Sequence, residues 1–324
     1  MAALMDLVLT DLVVTGVGDV EADGFDFRDE LGRRGYKYLP SASQYVLAAA
    51  KRALADAGED ALTAAEPERR AAAVGTNSAA VSLHHAMDRT VVGAGAGELS
   101  PVTAPYFSIN LFGSRLATEH DLKGFNLTLT SPRVAGLEAL QTGARAVAAG
   151  RASRLLAGAT EEALPEGEPG ADTSEAGAVA LVLEPAAAVA ERGGRAYGRV
   201  GVRTFFLPPA LAASADGAGE AAEALRDALA ALGHRPGAPL TVTAVLDCSP
   251  VGEAVAEALG EDIERVPAGA GCLAPMARVA AALRSTRDNI PVHAHAVVTA
   301  AAEGNTAVCL VTPGGSGGTE ASSR

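Results

Sequence analysis

From Asn126 to Glu162 the chain, NLTLTSPRVAGLEALQTGARAVAAGRASRLLAGATEE, reads as strand, tight turn, helix and strand, with Arg133 at the turn. Such a layout often presents a nucleophile at the turn. A guanidinium cannot fill that role, because it stays protonated at any ordinary pH. Ser131, two residues earlier, brings a hydroxyl, but no histidine lies in its sequence context to activate it, and it reads as a turn residue.

The other reactive side chains are scattered. Cys248, Cys272 and Cys309 have neither zinc-ligand spacing nor the arrangement of a disulfide framework, and read as buried thiols. His84 and His85 are adjacent, so a helix would point them apart, whereas His293 and His295 would share one face of a strand. A metal site needs three or four converging ligands, and the sequence offers no third partner. TGVGDVEADG follows a strand but fails as a dinucleotide loop: its glycine spacing is wrong and no helix opens directly after it. No cofactor and no metal are expected.

The elements that must hold these residues alternate between β and α. In the first half, LVLTDLVVTGVG reads as a strand, SASQYVLAAAKRALADAG as a helix capped at Ser41 or Ser43 and stopped by Gly58, and RAAAVGTN as a strand. YFSINLFGSRLATEHDL reads as helical, followed by strand Asn126 to Thr130, helix Val134 to Gly150, strand Arg154 to Ala159 and strand GAVALVLEP. From about Arg195 a similar order recurs: strand RAYGRVGVRTFFL, helix GAGEAAEALRDALAALG, strand LTVTAVLD, helices GEAVAEALG and PMARVAAALRS, strands PVHAHAVVTA and NTAVCLVTP. The recurrence suggests a duplication. The expected division is 1–190 and 191–313, with a small polar tail at 314–324 expected to be disordered.

With 324 residues and 48% hydrophobic content the chain can bury a large aliphatic core. Asp and Glu outnumber Lys and Arg by 39 to 26, a balance that repels nucleic acid and anionic lipid. No run approaches the ~20 apolar residues of a membrane span, and the acidic start with Asp6 and Asp11 lacks a signal peptide's basic segment. A cytoplasmic protein is the expectation.

The strings LVVTGVG, SQYVLAAAKRALADAG, GFNLTLTSPRVAGLEALQTGARAVAAGRASRLLAGATEE and GAVALVLEPAAAVAERGGRAYGRV, taken in this order, resemble the ketosynthases, condensing enzymes of fatty-acid and polyketide synthesis. The resemblance implies an α/β thiolase-like fold: two duplicated halves in a layered α-β-α-β-α arrangement. It also implies a cysteine nucleophile and two histidines, and this chain departs at each. The cysteine position falls on Arg133. AVLDCSPVGEAVAEALG keeps Pro250 and Gly252 of the first histidine's stretch without the histidine, and the second histidine's position corresponds best to Cys272. VTAAAEGN lacks the family's gate phenylalanine, and excursions around the family's site are shortened.

Such losses resemble those of the chain-length factors, inactive partners of active ketosynthases in type II polyketide systems, and here those of the polyene-forming, highly reducing kind. The resemblance implies a heterodimer with an active ketosynthase, joined along Asn126, Leu127, Thr128, Leu129 and Thr130, with acyl carrier protein engaged mainly through the partner. Phe107, Ser108, Leu111, Phe112 and Leu116 are expected to wall the acyl tunnel. Arg133 is expected to plug the former pocket against a carboxylate or carbonyl. Two alternatives stay open: an acyltransferase or condensing enzyme that uses Cys272 or Cys248, and a homodimeric scaffold.

Overall fold

The inner strands of the first half are buried on both faces, and such a strand needs a covering layer on each side. The computed structural model, which describes residues 12–58, 60–103, 106, 108–287 and 293–314, supplies those layers. Its strands are β1 (Leu12–Glu21), β2 (Arg70–Gly75), β3 (Asn126–Leu129), β4 (Arg154–Glu161) and β5 (Gly177–Pro185), then β6 (Gly198–Phe206), β7 (Leu240–Leu246), β8 (Glu264–Pro267), β9 (Ala294–Ala300) and β10 (Asn305–Pro313). The main helices are α1 (Ser41–Ala57), α2 (Val81–Ala94), α3 (Leu111–His120), α4 (Ala135–Ala148), α5 (Gly217–Ala231), α6 (Pro250–Leu259) and α7 (Leu273–Arg287).

The strands lie in the order β3-β2-β4-β5-β1-β6-β10-β9-β7-β8. Each half, read from its outer edge inward, has its third, second, fourth, fifth and first strand. The directions repeat as well: β2 runs parallel to β3 and β4, and β5 antiparallel to β4 and β1, while β7 runs parallel to β8 and β9, and β10 antiparallel to β9 and β6. The halves meet at a narrow seam, Val14 opposite Gly198.

Helices α4 and α7 fill the space between the two halves. Leu137 and Leu140 of α4 and Met276, Val279 and Leu283 of α7 share a core with Leu155, Leu181, Val297 and Cys309. On the outer face of the first half, Val46 and Leu47 of α1 and Leu116 of α3 pack on Leu156 and Val182. On the outer face of the second, Leu225 of α5 and Val251 and Val255 of α6 pack on Val298 and Leu310. The result is the α-β-α-β-α stack of the thiolase-like fold. Small residues set its spacing: a Cβ on Gly16 would stand 2.0 Å from the Ala53 carbonyl oxygen, so α1 rides directly on the β1 backbone.

Several local expectations change. The residue capping α1 is Pro40, with Ser41 already helical and Ser43 buried, while Gly58 at φ 95° ends the helix as expected. The helix expected from YFSINLFGSRLATEHDL is shorter, because 108–110 form turns before α3 and Asp121 closes it in the left-handed region. Helix α2 and strand β8 were not foreseen. Of the tail, only Gly314 lies within the described residues.

Candidate functional site

The turn between β3 and α4 holds Arg133 at φ 60°, a left-handed conformation rare outside glycine and asparagine. Such a residue costs ~1–3 kcal/mol and persists only where its surroundings fix it. Asn77, just after β2, does so: its Nδ2 donates to the carbonyls of Thr130 (3.0 Å) and Ser131 (3.2 Å), and its Oδ1 accepts from the Arg133 N–H (3.1 Å). One amide side chain thus clamps both sides of the turn.

The guanidinium of Arg133 points into the second half. Nη1 donates to Asp247 Oδ2 at 2.6 Å and to the Ala300 carbonyl at 2.7 Å, and Nη2 donates to the Gly269 carbonyl at 3.3 Å. The side chain is 12% exposed. Asp247 follows β7 directly. Burial, the largest influence on its carboxyl, pushes the pKa up, but hydrogen bonds from Ser249 and Arg133 together outweigh it and hold the group below its ordinary value. The space beside the turn is therefore filled by a bound arginine.

Two more carboxylates organise the neighbourhood. Glu161, at the end of β4, has no exposed surface. It accepts from Thr76 Oγ1, Asn77 N, Ser78 N and Oγ, and from Cys272 N at 2.9 Å, so it ties the loop after β2 to the start of α7. Glu175 accepts from Leu273 N (2.8 Å) and Ala274 N (3.2 Å), capping α7. Burial raises the Glu175 pKa, and the nearby Glu161 adds to the rise.

Cys272 lies between these carboxylates. Its thiol is fully buried, and burial first, then the neighbouring Glu161, push its pKa well above the ordinary value. A thiol held neutral is a poor nucleophile, which weighs against a relocated reaction at Cys272. Cys309 is also buried, its pKa pushed up to about 12. Cys248 is exposed beside Asp247. Among the described residues no group of three histidine, cysteine or acidic side chains is arranged to hold a metal ion. His293 and His295 instead meet Thr241 (2.8 Å) and Thr243 (2.9 Å) on β7.

The tunnel candidates separate. Phe112 is fully buried in a small cluster with Ala42, Ala79 and Ala80, and Leu116 belongs to the core under α1. Both are enclosed by their own subunit's side chains. Ser108, whose hydroxyl donates to Asn110 at 2.6 Å, and Leu111 are half-buried. Phe107 lies outside the described residues.

Asn126, Leu127, Thr128 and Leu129 form β3, the outermost strand of the first half, and Thr130 follows it. The carbonyls of Phe125 and Leu129 accept from Ala72 and Thr76 of the β2 segment. By the alternation of a parallel strand, the backbone groups of Asn126, Thr128 and Thr130 then point away from β2, toward the open edge. The opposite edge, β8, carries Glu264 and Arg265 and ends in Pro267, features that guard an edge against pairing.

Arg145, Arg151 and Arg154, the basic group nearest the site in sequence, do not gather there. Arg154 is buried, ion-paired with the fully buried Glu184 at 3.2 Å, to which Arg192 also binds at 2.5 Å. Arg145 lies in the last turn of α4, ~18 Å along the helix from Arg133, and Arg151 follows the end of that helix. Asn77, Glu161, Glu175 and Asp247 were missed by sequence reasoning. The signal for Asn77 is its place directly after a strand, and that for Asp247 its place between strand and helix in AVLDCSPVGEAVAEALG.

No helix among the described residues is long and apolar enough to cross a membrane. Curated relatives include two proteins named 3-oxoacyl-[acyl-carrier-protein] synthase 2. That of Vibrio harveyi is 27% identical over 139 residues, and that of Vibrio cholerae serotype O1 is 25% identical over 140. Each match covers 43% of this chain, and only 33% and 34% of the relatives' own length. Among solved structures, the ishigamide ketosynthase/chain length factor superposes with a TM-score of 0.76 at 22% identity, over 94% of this chain and 100% of that one. A type II PKS acyl-carrier protein in complex with its ketosynthase gives 0.75 at 16% identity, over 94% and 99%. A beta-ketoacyl synthase from Burkholderia phymatum gives 0.74 at 15%, over 94% and 100%. These structural likenesses show the fold. The family model described as beta-ketoacyl synthase, N-terminal domain, matches residues 10–191, more than half of the sequence, and the chain belongs to the beta-ketoacyl synthase family.

Proposed function

We propose that this chain is a non-catalytic chain-length factor: it pairs with an active ketosynthase and contributes one wall of the cavity in which a polyketide grows. The observation that carries the reading is Arg133 at the turn where the family presents its nucleophile, bound by Asp247 and two carbonyls, with Cys272 buried and neutral at the start of α7. A guanidinium forms no thioester, and burial beside Glu161 keeps the Cys272 thiol from the thiolate form that would attack an acyl group.

What remains useful is shape. An apolar cavity gains ~0.8 kcal/mol for each methylene withdrawn from water, until the chain tip meets a wall and overpacking costs ~1–3 kcal/mol. Ser108 and Leu111, half-buried before α3 and at its start, are the described residues best placed to form such a wall from this subunit. The open edge of β3 supplies the pairing surface. Acyl carrier protein, acidic in related systems, docks mainly on the partner, since this chain's formal charge is −13. The short, eroded site fits a linear polyene product.

The reading is tested by co-expression with a ketosynthase that has an intact cysteine and two histidines. A stable one-to-one complex whose product length changes when Leu111 is enlarged supports it. A stable homodimer that ignores the ketosynthase sinks it in favour of a scaffold, and a cyclised poly-β-ketone product removes the polyene assignment.

A further inference from the structure

The segment joining β4 to β5 follows a fixed path with little to bury. Pro165 and Pro169 restrict it, Gly167 and Gly170 turn it in the left-handed region at φ 90° and 86°, and every residue from Ala163 to Ala176 is half-buried or exposed. Its two ends are held firmly, by Glu161 with its set of donors and by Glu175 on the first turn of α7. Between those ends the attachments are polar. Ser82 Oγ donates to the Ala163 carbonyl at 3.1 Å, Leu164 N to Ser174 Oγ at 3.1 Å, and His85 Nδ1 meets Glu168 Oε1 at 3.0 Å.

The segment lies on the stretch that holds Arg133. Ala270 N donates to the Thr173 carbonyl at 2.9 Å, and a Cβ on Gly170 would stand 2.8 Å from the Cβ of Ala270. The residue before Ala270 is Gly269, whose carbonyl accepts from Arg133 Nη2. At Glu168 the segment borders a cavity of about 570 Å³, whose other lining comes from α2: Val81, His84, His85, Asp88, Arg89 and Val92 form one stripe of that helix. Helix α2 has no buried residue, follows Ala80 at φ 70° and ends at Gly95 at φ 97°. A polar segment and a helix without a buried face thus hold one another across a gap, with the His85–Glu168 pair bridging it.

We propose that residues 163–174 form a hinged cover over the side chain of Arg133, clasped to α2 by His85 and Glu168, and that releasing the clasp opens the guanidinium to solvent. Elements held by exposed polar contacts are the first to open. The cover stands independently of the chain-length reading, because it concerns access to Arg133 and not what the partner does.

Hydrogen-exchange mass spectrometry and phenylglyoxal labelling of the full chain test it, comparing the native sequence with His85→Ala and Glu168→Gln. Loss of this half-exposed side-chain contact is expected to raise exchange in 163–174 by about two- to five-fold, with α4 and β4 unchanged. Phenylglyoxal modification of Arg133, read by peptide mass against the exposed Arg145, is expected to rise by a similar factor. Unchanged exchange in 163–174 in both variants overturns the clasp. Faster exchange there with Arg133 still protected overturns the cover. Should His85→Ala loosen the whole chain, Glu168→Gln, altered only in the loop, decides by the same two readings.

Discussion

Arg133 Nη1 stands 2.6 Å from Asp247 Oδ2, joining the turn before α4 in one half to the end of β7 in the other, across 114 residues of sequence. The pair is largely shielded, with its members at 12% and 23% exposure. It is the point from which the expected behaviour of the site can be tested.

Replacing Arg133 by Met leaves Asp247 shielded without its cation and is expected to destabilise the chain by ~1–3 kcal/mol, the range for a stranded polar group, short of the ~3–5 kcal/mol of a fully buried pair. Urea unfolding of Arg133→Met reads it directly. Arg133→Cys is expected to restore a thiol without restoring condensation, because among the described residues Asp247 and the carbonyls of Ala300 and Gly269, and not a histidine, meet this side chain. Mass analysis after incubation with acyl and malonyl thioesters together should show no elongated product.

The pH response follows from Asp247. Its folded pKa lies below the unfolded value of ~3.9, so its contribution is fully present above that value and is lost as pH falls through the folded pKa. The stability difference between the native sequence and Asp247→Asn is therefore expected to be constant near neutrality and to shrink below about pH 4. Unfolding midpoints measured from pH 7 to pH 3 check this, and a difference that grows in acid would reverse the assignment.

Phe112→Ala and Leu111→Ala are expected to part company. Phe112 is fully enclosed by its own subunit, so its truncation opens a cavity and costs ~3–5 kcal/mol. Leu111 is half-buried, and its truncation is expected to cost ~1 kcal/mol while lengthening the product made with the partner. Thermal unfolding and product mass, measured on both variants, separate a core residue from a tunnel wall.

Thr128→Pro probes the open edge. The Thr128 N–H points away from β2, so proline removes an outward donor and leaves the β2 ladder in place. The variant is expected to fold with a circular dichroism spectrum like that of the native chain and to lose at least tenfold in affinity for the ketosynthase, measured by titration calorimetry.

The strand–turn–helix around Arg133 was legible because β3 and α4 carry their patterns within a few residues, and the layered fold because the same order of elements recurs. The holders of that turn were not. Asn77 reaches Arg133 over 56 residues within the first half, while Glu161 reaches Cys272 over 111 and Glu175 reaches Leu273 over 98 where the two halves meet, and no local pattern specifies such distant pairings. Helix α2 escaped notice because no stripe of it is buried, and β8 because four residues at a charged edge carry no alternation. Phe112 and Leu116 lie on α3 and are buried, a facing that the weak apolar pattern of LFGSRLATEH does not specify.

The central claim is that the chain has kept the family's shape without its reaction. The most direct measurement is to incubate the purified chain alone with an acyl thioester and isotopically labelled malonyl-acyl carrier protein, and to follow label into an elongated product. No carbon–carbon bond should form until an active ketosynthase is added. Turnover by the chain on its own would contradict the account.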